Sequence, residues 1–308
     1  MNSKVEYAGC VNECPGQLRT VHKFGSYGVC KCESCSLVFL NPRLPEEQLE
    51  SFYEDQYFNG THETGYSNYE GDKSITEKTF VRRVNFIRRF KTAGRILDVG
   101  CSLGFFLDVA QRSGFEGWGI DCSKYAINQS KSRFPNRVFA GVLNDEIFDD
   151  KSFDVITMFD VFEHVYDPHK LVRQVHRILK DDGILIITTP NQDSILAKLT
   201  GKKWVSYKIP EHVFYYTPQT LTQIVSPLFS VEMVKPEGQY CSLEFLSARL
   251  TAVNKFVGST VNLLANSLGM RESSLFVNSG SMTAVLRPKI ILEHNLVKQD
   301  KRTATAMK

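Results

Sequence analysis

The chain has 308 residues, 42% of them hydrophobic and 23% charged, with a formal net charge of +3; it is long enough to bury at least one sizeable core and has an ordinary globular composition. So small a charge argues against a broad phosphate-binding footprint, which needs clustered Lys and Arg to displace counterions, and large nucleic acids are not favoured partners. The start, MNSKVEYAGC, lacks the apolar core of a signal peptide, and no uncharged run reaches the roughly 18 to 20 apolar residues of a spanning helix, so the chain reads as cytoplasmic.

Residues 1–40 are turn-rich and too few to hold a hydrophobic core without a staple. Five of the eight cysteines fall between residues 10 and 35, and in a cytosolic chain such clustering favours a metal over disulfides. Cys10-x3-Cys14 and Cys32-x2-Cys35 are separated by 17 residues, close to the spacing of a four-cysteine zinc ribbon. Two hairpin knuckles closing on Zn²⁺ would supply the missing stability, and four thiolates leave no open position for catalysis, so the metal reads as structural. The three-residue gap in the first pair departs from the pattern and keeps Cys30 as an alternative ligand.

Residues 41–94 read as a helical linker or lid. Pro45 and the glutamates after it suit a helix first turn, an aromatic stretch follows (Tyr57, Phe58, Tyr66, Tyr69), and a helical pattern runs from about Lys73 to Phe90. From Arg95 apolar runs alternate with amphipathic segments, the mark of βαβ units around a mostly parallel sheet. RILDVG, WGID, RVFAG, FDVITMF and GILIITTP read as five strands. Asp167 and Pro168 suit the N-cap and N1 positions of a helix with Leu171, Val172, Val175, Ile178 and Leu179 on one face, and Lys180 and Gly183 suit its end. Two further strands, 229–234 and 282–286, complete a domain over 95–288, with a helical insertion at about 241–272 and a flexible basic tail at 289–308.

RILDVGCSLGFFL is a strand entering a turn in which Gly100 and Gly104 let the backbone approach a ligand closely. The G-x-G-x-x-G of a dinucleotide fold is absent. Asp121 ends the next strand about twenty residues beyond the turn, where a carboxylate accepts hydrogen bonds from both hydroxyls of a ribose. Asp98-Val99-Gly100-Cys101-Ser102-Leu103-Gly104 resembles the acidic-x-Gly-x-Gly-x-Gly motif of the class I S-adenosylmethionine-dependent methyltransferases, with Ser102 for the middle glycine, and the resemblance extends over roughly residues 95–235. It implies an α/β fold with a Rossmann-like seven-stranded sheet, mostly parallel with the last strand antiparallel, and helices on both faces. It also implies S-adenosyl-L-methionine as cofactor, held by Asp98, Gly100, Cys101, Ser102, Gly104, Asp121, Cys122 and Phe159, with Asp145 reaching the adenine amine. CESCSLVFLNPR ahead of such a core resembles bacterial enzymes of polysaccharide and secondary-metabolite pathways, which implies a small-molecule, sugar or lipid-linked acceptor.

Methyl transfer from a sulfonium requires mainly that the acceptor be aligned and its proton removed. Asp160, Glu163 and His164 share one face if their turn is helical; they resemble the Glu-x-x-Glu-His cluster that binds a divalent ion in quinone-pathway O-methyltransferases, implying Mg²⁺, although Glu-His also recurs in class I methyltransferases that use no metal. The second cluster, Lys208 to Tyr216, is similar to the Glu-His pair followed by aromatics in sugar methyltransferases. It makes His212 the general base for O-methylation, with Glu211 orienting it, and Trp204, Tyr207, Tyr215 and Tyr216 the walls of an apolar pocket. Packing roles for both histidines, and core roles for the aromatics, are the competing readings.

Asp160-Val161-Phe162-Glu163 stands where methylases of ring-exocyclic amines carry Asn/Asp-Pro-Pro-aromatic, which disfavours nucleic-acid or protein methylation. An inactive zinc-stabilised binding module is disfavoured by the intact Asp98, Gly100, Gly104 and Asp121. The insertion places Leu250, Val253, Phe256, Val257, Leu263, Leu264 and Leu268 on an apolar side, which suits packing on its own sheet, a homodimer contact, or peripheral docking at the inner face of the membrane to meet a lipid-linked acceptor.

Overall fold

The computed structural model describes residues 5–50, 73–253, 255–267 and 273–291. The aromatic stretch at Tyr57, Phe58, Tyr66 and Tyr69 and nearly all of the basic tail lie outside them.

Three short strands open the chain, β1 (Leu18–Phe24), β2 (Tyr27–Cys32) and β3 (Val38–Leu40), paired antiparallel in sequence order. Helix α1 (Glu46–Glu50) starts with two glutamates, whose charge suits the positive end of the helix dipole. Helix α2 (Lys73–Ile87) leads into β4 (Gly94–Val99), and α3 (Phe105–Arg112), β5 (Phe115–Asp121), α4 (Lys124–Ser130) and β6 (Val138–Ala140) follow in βαβ order. The second half begins with β7 (Phe153–Phe159), α5 (Pro168–Ile178) and β8 (Leu179–Pro190). After α6 (Ile195–Thr200), the two-residue β9 (Phe214–Tyr215) and α7 (Pro218–Val225), the chain runs through β10 (Phe229–Ser242), α8 (Leu243–Val253), α9 (Lys255–Ser267) and β11 (Ser274–Pro288).

The large sheet has the order β6-β5-β4-β7-β8-β11-β10. β4 to β8 are mutually parallel within it, whereas β11 runs antiparallel to both β8 and β10. Because successive strand residues face opposite sides, two cores form. Leu97, Ile156, Leu185 and Ile187 meet α5 and α7 on one face, and Ile96, Val155, Ile184 and Ile186 meet α2, α3 and α4 on the other.

The cap of α5 is as read from sequence: Asp167 Oδ1 accepts the Lys170 N–H at 2.8 Å and Pro168 opens the helix, a cap worth about 1 kcal/mol. Its end is not. The helix stops at Ile178, and Leu179 turns extended to pair with Phe153, so Leu179, Lys180 and Gly183 belong to β8. β10 and β11 also run beyond 229–234 and 282–286, pairing to Ser242 and Ser274 and lifting two helices instead of one. In those helices Leu250 is half-buried, while Phe256 and Leu263 stand exposed, Phe256 at 87%. The side chains of Val253, Val257 and Leu264, and residue 268, lie outside the described set.

Candidate functional site

Between β4 and α3 the backbone turns through three left-handed residues, Gly100 (φ 79°), Ser102 (φ 49°) and Gly104 (φ 76°). A Cβ at Gly100 would meet Val161 Cγ2 at 2.3 Å, so both its torsion and its space demand glycine. The turn is fixed from below by Asp121 at the tip of β5. Its Oδ2 accepts the Ser102 N–H and its Oδ1 the Ser123 N–H, each at 2.8 Å, and burial raises its pKa. Asp98 is buried one layer deeper, with Thr157 Oγ1 donating to its Oδ1 at 2.7 Å. Burial lifts its pKa to about 7, opposed by that hydrogen bond and by the charge of Arg83.

These groups wall one continuous cavity of about 620 Å³, within the range of small-molecule sites. Asp98, Gly100, Cys101, Ser102, Asp121, Cys122 and Phe159 all line it, as does Asp160. Gly104 does not; it is the left-handed N-cap of α3, behind the turn. Asp145 does not either. Its side chain is 77% exposed and faces Arg177 Nε at 3.6 Å, while Gly141, Val142 and Leu143 line the cavity in that loop, so Asp145, expected to reach the adenine amine, stands outside the cavity wall.

Arg83 was missed from sequence. It is 8% exposed, lines the cavity, and sits with its guanidinium carbon 4.4 Å over the Phe159 ring and Nη2 3.5 Å from Asp160 Oδ2. Its Nε finds no acceptor among the described residues. The signal was its register: Thr79, Arg83 and Ile87, four apart, form the buried stripe of α2, and a cation on such a stripe is expensive without an anion to meet.

The acid–base candidates divide differently from their sequence spacing. Asp160 leaves β7 in a left-handed conformation (φ 58°) and turns to Arg83, whereas Glu163, in a single 3₁₀ turn, points inward and accepts Thr189 Oγ1 at 2.9 Å. Burial, helped by the Asp160 charge, pushes the Glu163 pKa to about 8. The three residues therefore do not form one ligand set. Glu163, His164 and His212 bring their ligand atoms within 4.8 Å of one another instead; the Lys208 charge, which helps depress both imidazoles, opposes a further cation there.

His164 lines the cavity and His212 does not. His212 is 3% exposed and lies behind His164, the rings edge to face with centroids 4.6 Å apart. His164 Nδ1 donates to the Glu211 carbonyl at 3.0 Å, which fixes the tautomer and leaves Nε2 as an acceptor. Burial and then Lys208 depress its pKa to about 3; burial and then the charge of His164 hold that of His212 well below the usual imidazole value, so both are neutral at pH 7. Glu211 thus touches His164 with its backbone carbonyl, not its carboxylate. Trp204, Tyr207 and Tyr215 pack against Val29, Val38 and Leu40 of the small sheet, and Tyr216 lies in the main core. The cavity's aromatic walls are Phe80, Phe159, Tyr166, Tyr240 and Phe245.

At the N-terminus the sulfurs of Cys10, Cys14, Cys32 and Cys35 lie within 4.8 Å of one another, with Cys10 and Cys35 at 3.4 Å. Tetrahedral zinc with Zn–S of about 2.3 Å needs S···S of about 3.8 Å, so the set fits. Cys30 turns away to the Asn41 carbonyl at 3.4 Å and is not part of it.

Residues 74–226 match the family model of a methyltransferase domain, and the sheet order with its one inverted strand, β11, is that of the class I fold implied by the glycine turn. Residues 74–226 carry a methyltransferase domain. Over 102 residues it is 31% identical to a Mycobacterium tuberculosis protein named "Probable S-adenosylmethionine-dependent methyltransferase", covering 33% of this chain and 37% of that one. Over 129 residues it is 27% identical to the ubiquinone biosynthesis O-methyltransferase of Glaesserella parasuis, covering 38% of this chain and 55% of that one. The chain thus spans about a third to a little over half the length of these curated relatives. A chain from the complex of the Haloferax volcanii Trm112 methyltransferase activator with a methyltransferase superposes on the methyltransferase fold with a TM-score of 0.51 at 14% identity, covering 79% of this chain and 98% of that chain.

Proposed function

We propose that the protein transfers a methyl group from S-adenosylmethionine to a hydroxyl of a small-molecule acceptor, with His164 taking the hydroxyl proton. The observation that carries this reading is the single cavity that joins the Asp121 turn, the buried Arg83 and the neutral imidazole of His164. Asp121 would accept the ribose hydroxyls on the lone pairs its two backbone N–H bonds leave over, and Arg83 would meet the cofactor's carboxylate. S-adenosylmethionine bound there supplies an electrophilic methyl group.

The chain's own part is alignment and proton removal. The Glu211 carbonyl holds His164 in the tautomer whose Nε2 accepts a proton, and His212 closes the space behind it. The ubiquinone-pathway relatives, O-methyltransferases by name, support oxygen as the methylated atom and a small molecule as the acceptor. The four cysteines would hold zinc in a structural role.

Two alanine variants test the assignment. His164→Ala is expected to lose roughly 10²–10⁴-fold in turnover with S-adenosylmethionine affinity near wild type, and His212→Ala to lose less. A full rate in His164→Ala on an acceptor that the wild type methylates would end its candidacy.

A further inference from the structure

The small N-terminal sheet is completed from far along the chain. β9 pairs antiparallel with β3, Val38 opposite Tyr215 and Phe39 opposite Phe214, and two residues do not make a self-sufficient strand. From this pairing, we infer that the four-thiolate knuckle is the positioning device of the acceptor-side histidine, and that it acts on that side of the cavity alone; the inference rests on the reading of His164 just given.

The connection is a short series of backbone hydrogen bonds. Within the knuckle, Ser36 N–H donates to Cys32 O and Cys32 N–H to Leu37 O, each at 2.9 Å. Leu40, at the end of β3, donates its N–H to Val213 O at 2.8 Å, and Val213 N–H donates to Glu163 O at 2.8 Å. Two residues before Val213, the Glu211 carbonyl accepts His164 Nδ1. The segment carrying Glu211 and Val213 is thus held between the knuckle's sheet and the Glu163–His164 turn. Side chains follow the same route: Cys32, Leu37 and Phe39 share one core with Phe162, Val213, Phe214 and Tyr216. The donor side shares that core through Val99 and Ile120 but has polar fastenings of its own, its turn bonded to β5 through Ile120 O and Asp121 and its Asp98 to β7 through Thr157.

A segment that owes its order to a neighbouring sheet opens locally when that sheet is lost, and amide exchange reports the opening without any need for turnover. The full chain is compared as purified with zinc, after chelation, and after Zn²⁺ is added back, reading zinc content, amide exchange over 206–216 and S-adenosylmethionine affinity by calorimetry. Chelation is expected to raise exchange at Val213 to Tyr215 by tenfold or more, with cofactor affinity held within about threefold and protection restored by Zn²⁺ alone. Leu40→Pro keeps all four cysteines and removes the donor to Val213; it should retain its zinc yet show the same exchange. Unchanged exchange at 213–215 on metal loss, cofactor affinity that collapses in parallel, or freshly purified protein without zinc would each overturn the inference. Should the protein bind no S-adenosylmethionine at all, the functional reading fails, and the exchange data still report whether the knuckle holds β9.

Discussion

On the cofactor placement proposed above, Asp121 is the residue on which the donor site turns, and its replacement has a calculable effect. Each carboxylate oxygen already holds one backbone N–H at 2.8 Å, from Ser102 and Ser123, so in Asp121→Ala a ligand loses its ribose partner and the turn loses its fastening. A hydrogen bond to a charged group contributes about 1.5–3 kcal/mol. Loss of one such net contribution weakens binding by roughly 10- to 150-fold, and loss of two would exceed that. The two orphaned N–H groups should lower stability by a further ~1–2 kcal/mol in the free protein, read as a lower Tm. Calorimetric titration with S-adenosylmethionine and with S-adenosylhomocysteine checks the first figure. A folded Asp121→Ala protein that binds both as tightly as wild type would refute the placement of the ribose at β5.

Glu163 carries a pH signature. Its folded pKa of about 8 stands above the unfolded carboxyl value, so its contribution is fully present below pH ~4.5 and is lost as pH rises through 8. Thermal unfolding of wild type should therefore fall between pH 5 and 8.5 relative to Glu163→Gln, and parallel curves would contradict the burial argument. Ser102 holds a left-handed torsion, φ 49°, and its hydroxyl finds no partner among the described residues; Ser102→Gly should stabilise by about 0.5–1 kcal/mol, since ~1–2 kcal/mol of strain outweighs glycine's entropy, and a lower Tm in the variant would show the strain argument wrong. Phe256 and Leu263 stand exposed on α9, so an acceptor anchored in lipid predicts that vesicles of phosphatidylglycerol carry the protein up a flotation gradient, whereas a soluble acceptor leaves it at the bottom.

Much of the fold was legible because the signals are local. Gly100 and Gly104 mark a turn that only glycine tolerates well, Asp121 closes a strand, and Asp167-Pro168 opens a helix; each needs only its own few residues. What escaped depends on contacts between distant segments. No spacing rule says that Phe39 will lie opposite Phe214, and without that pairing Trp204, Tyr207 and Tyr215 look like pocket walls when they are the core under a small sheet. The same distance hid the order of the two histidines: His212 has the better sequence context, beside Glu211, yet the chain folds it behind His164. Asp160 and Glu163 seemed to share a helical face, but the 3₁₀ turn and the left-handed Asp160 send them to different partners, Arg83 and Thr189. Arg83 alone was there to be read, as a cation on the buried stripe of α2.

The measurement that tests the central claim most directly is transfer of labelled methyl. Purified protein is incubated with methyl-labelled S-adenosylmethionine and cell extract separated into small-molecule, glycan, lipid, protein and nucleic-acid fractions, with Asp121→Ala and His164→Ala run alongside. The label should enter the small-molecule fraction with wild type and fall to background with both variants. Label found only in protein or nucleic acid, or transfer undiminished by Asp121→Ala, would contradict the account.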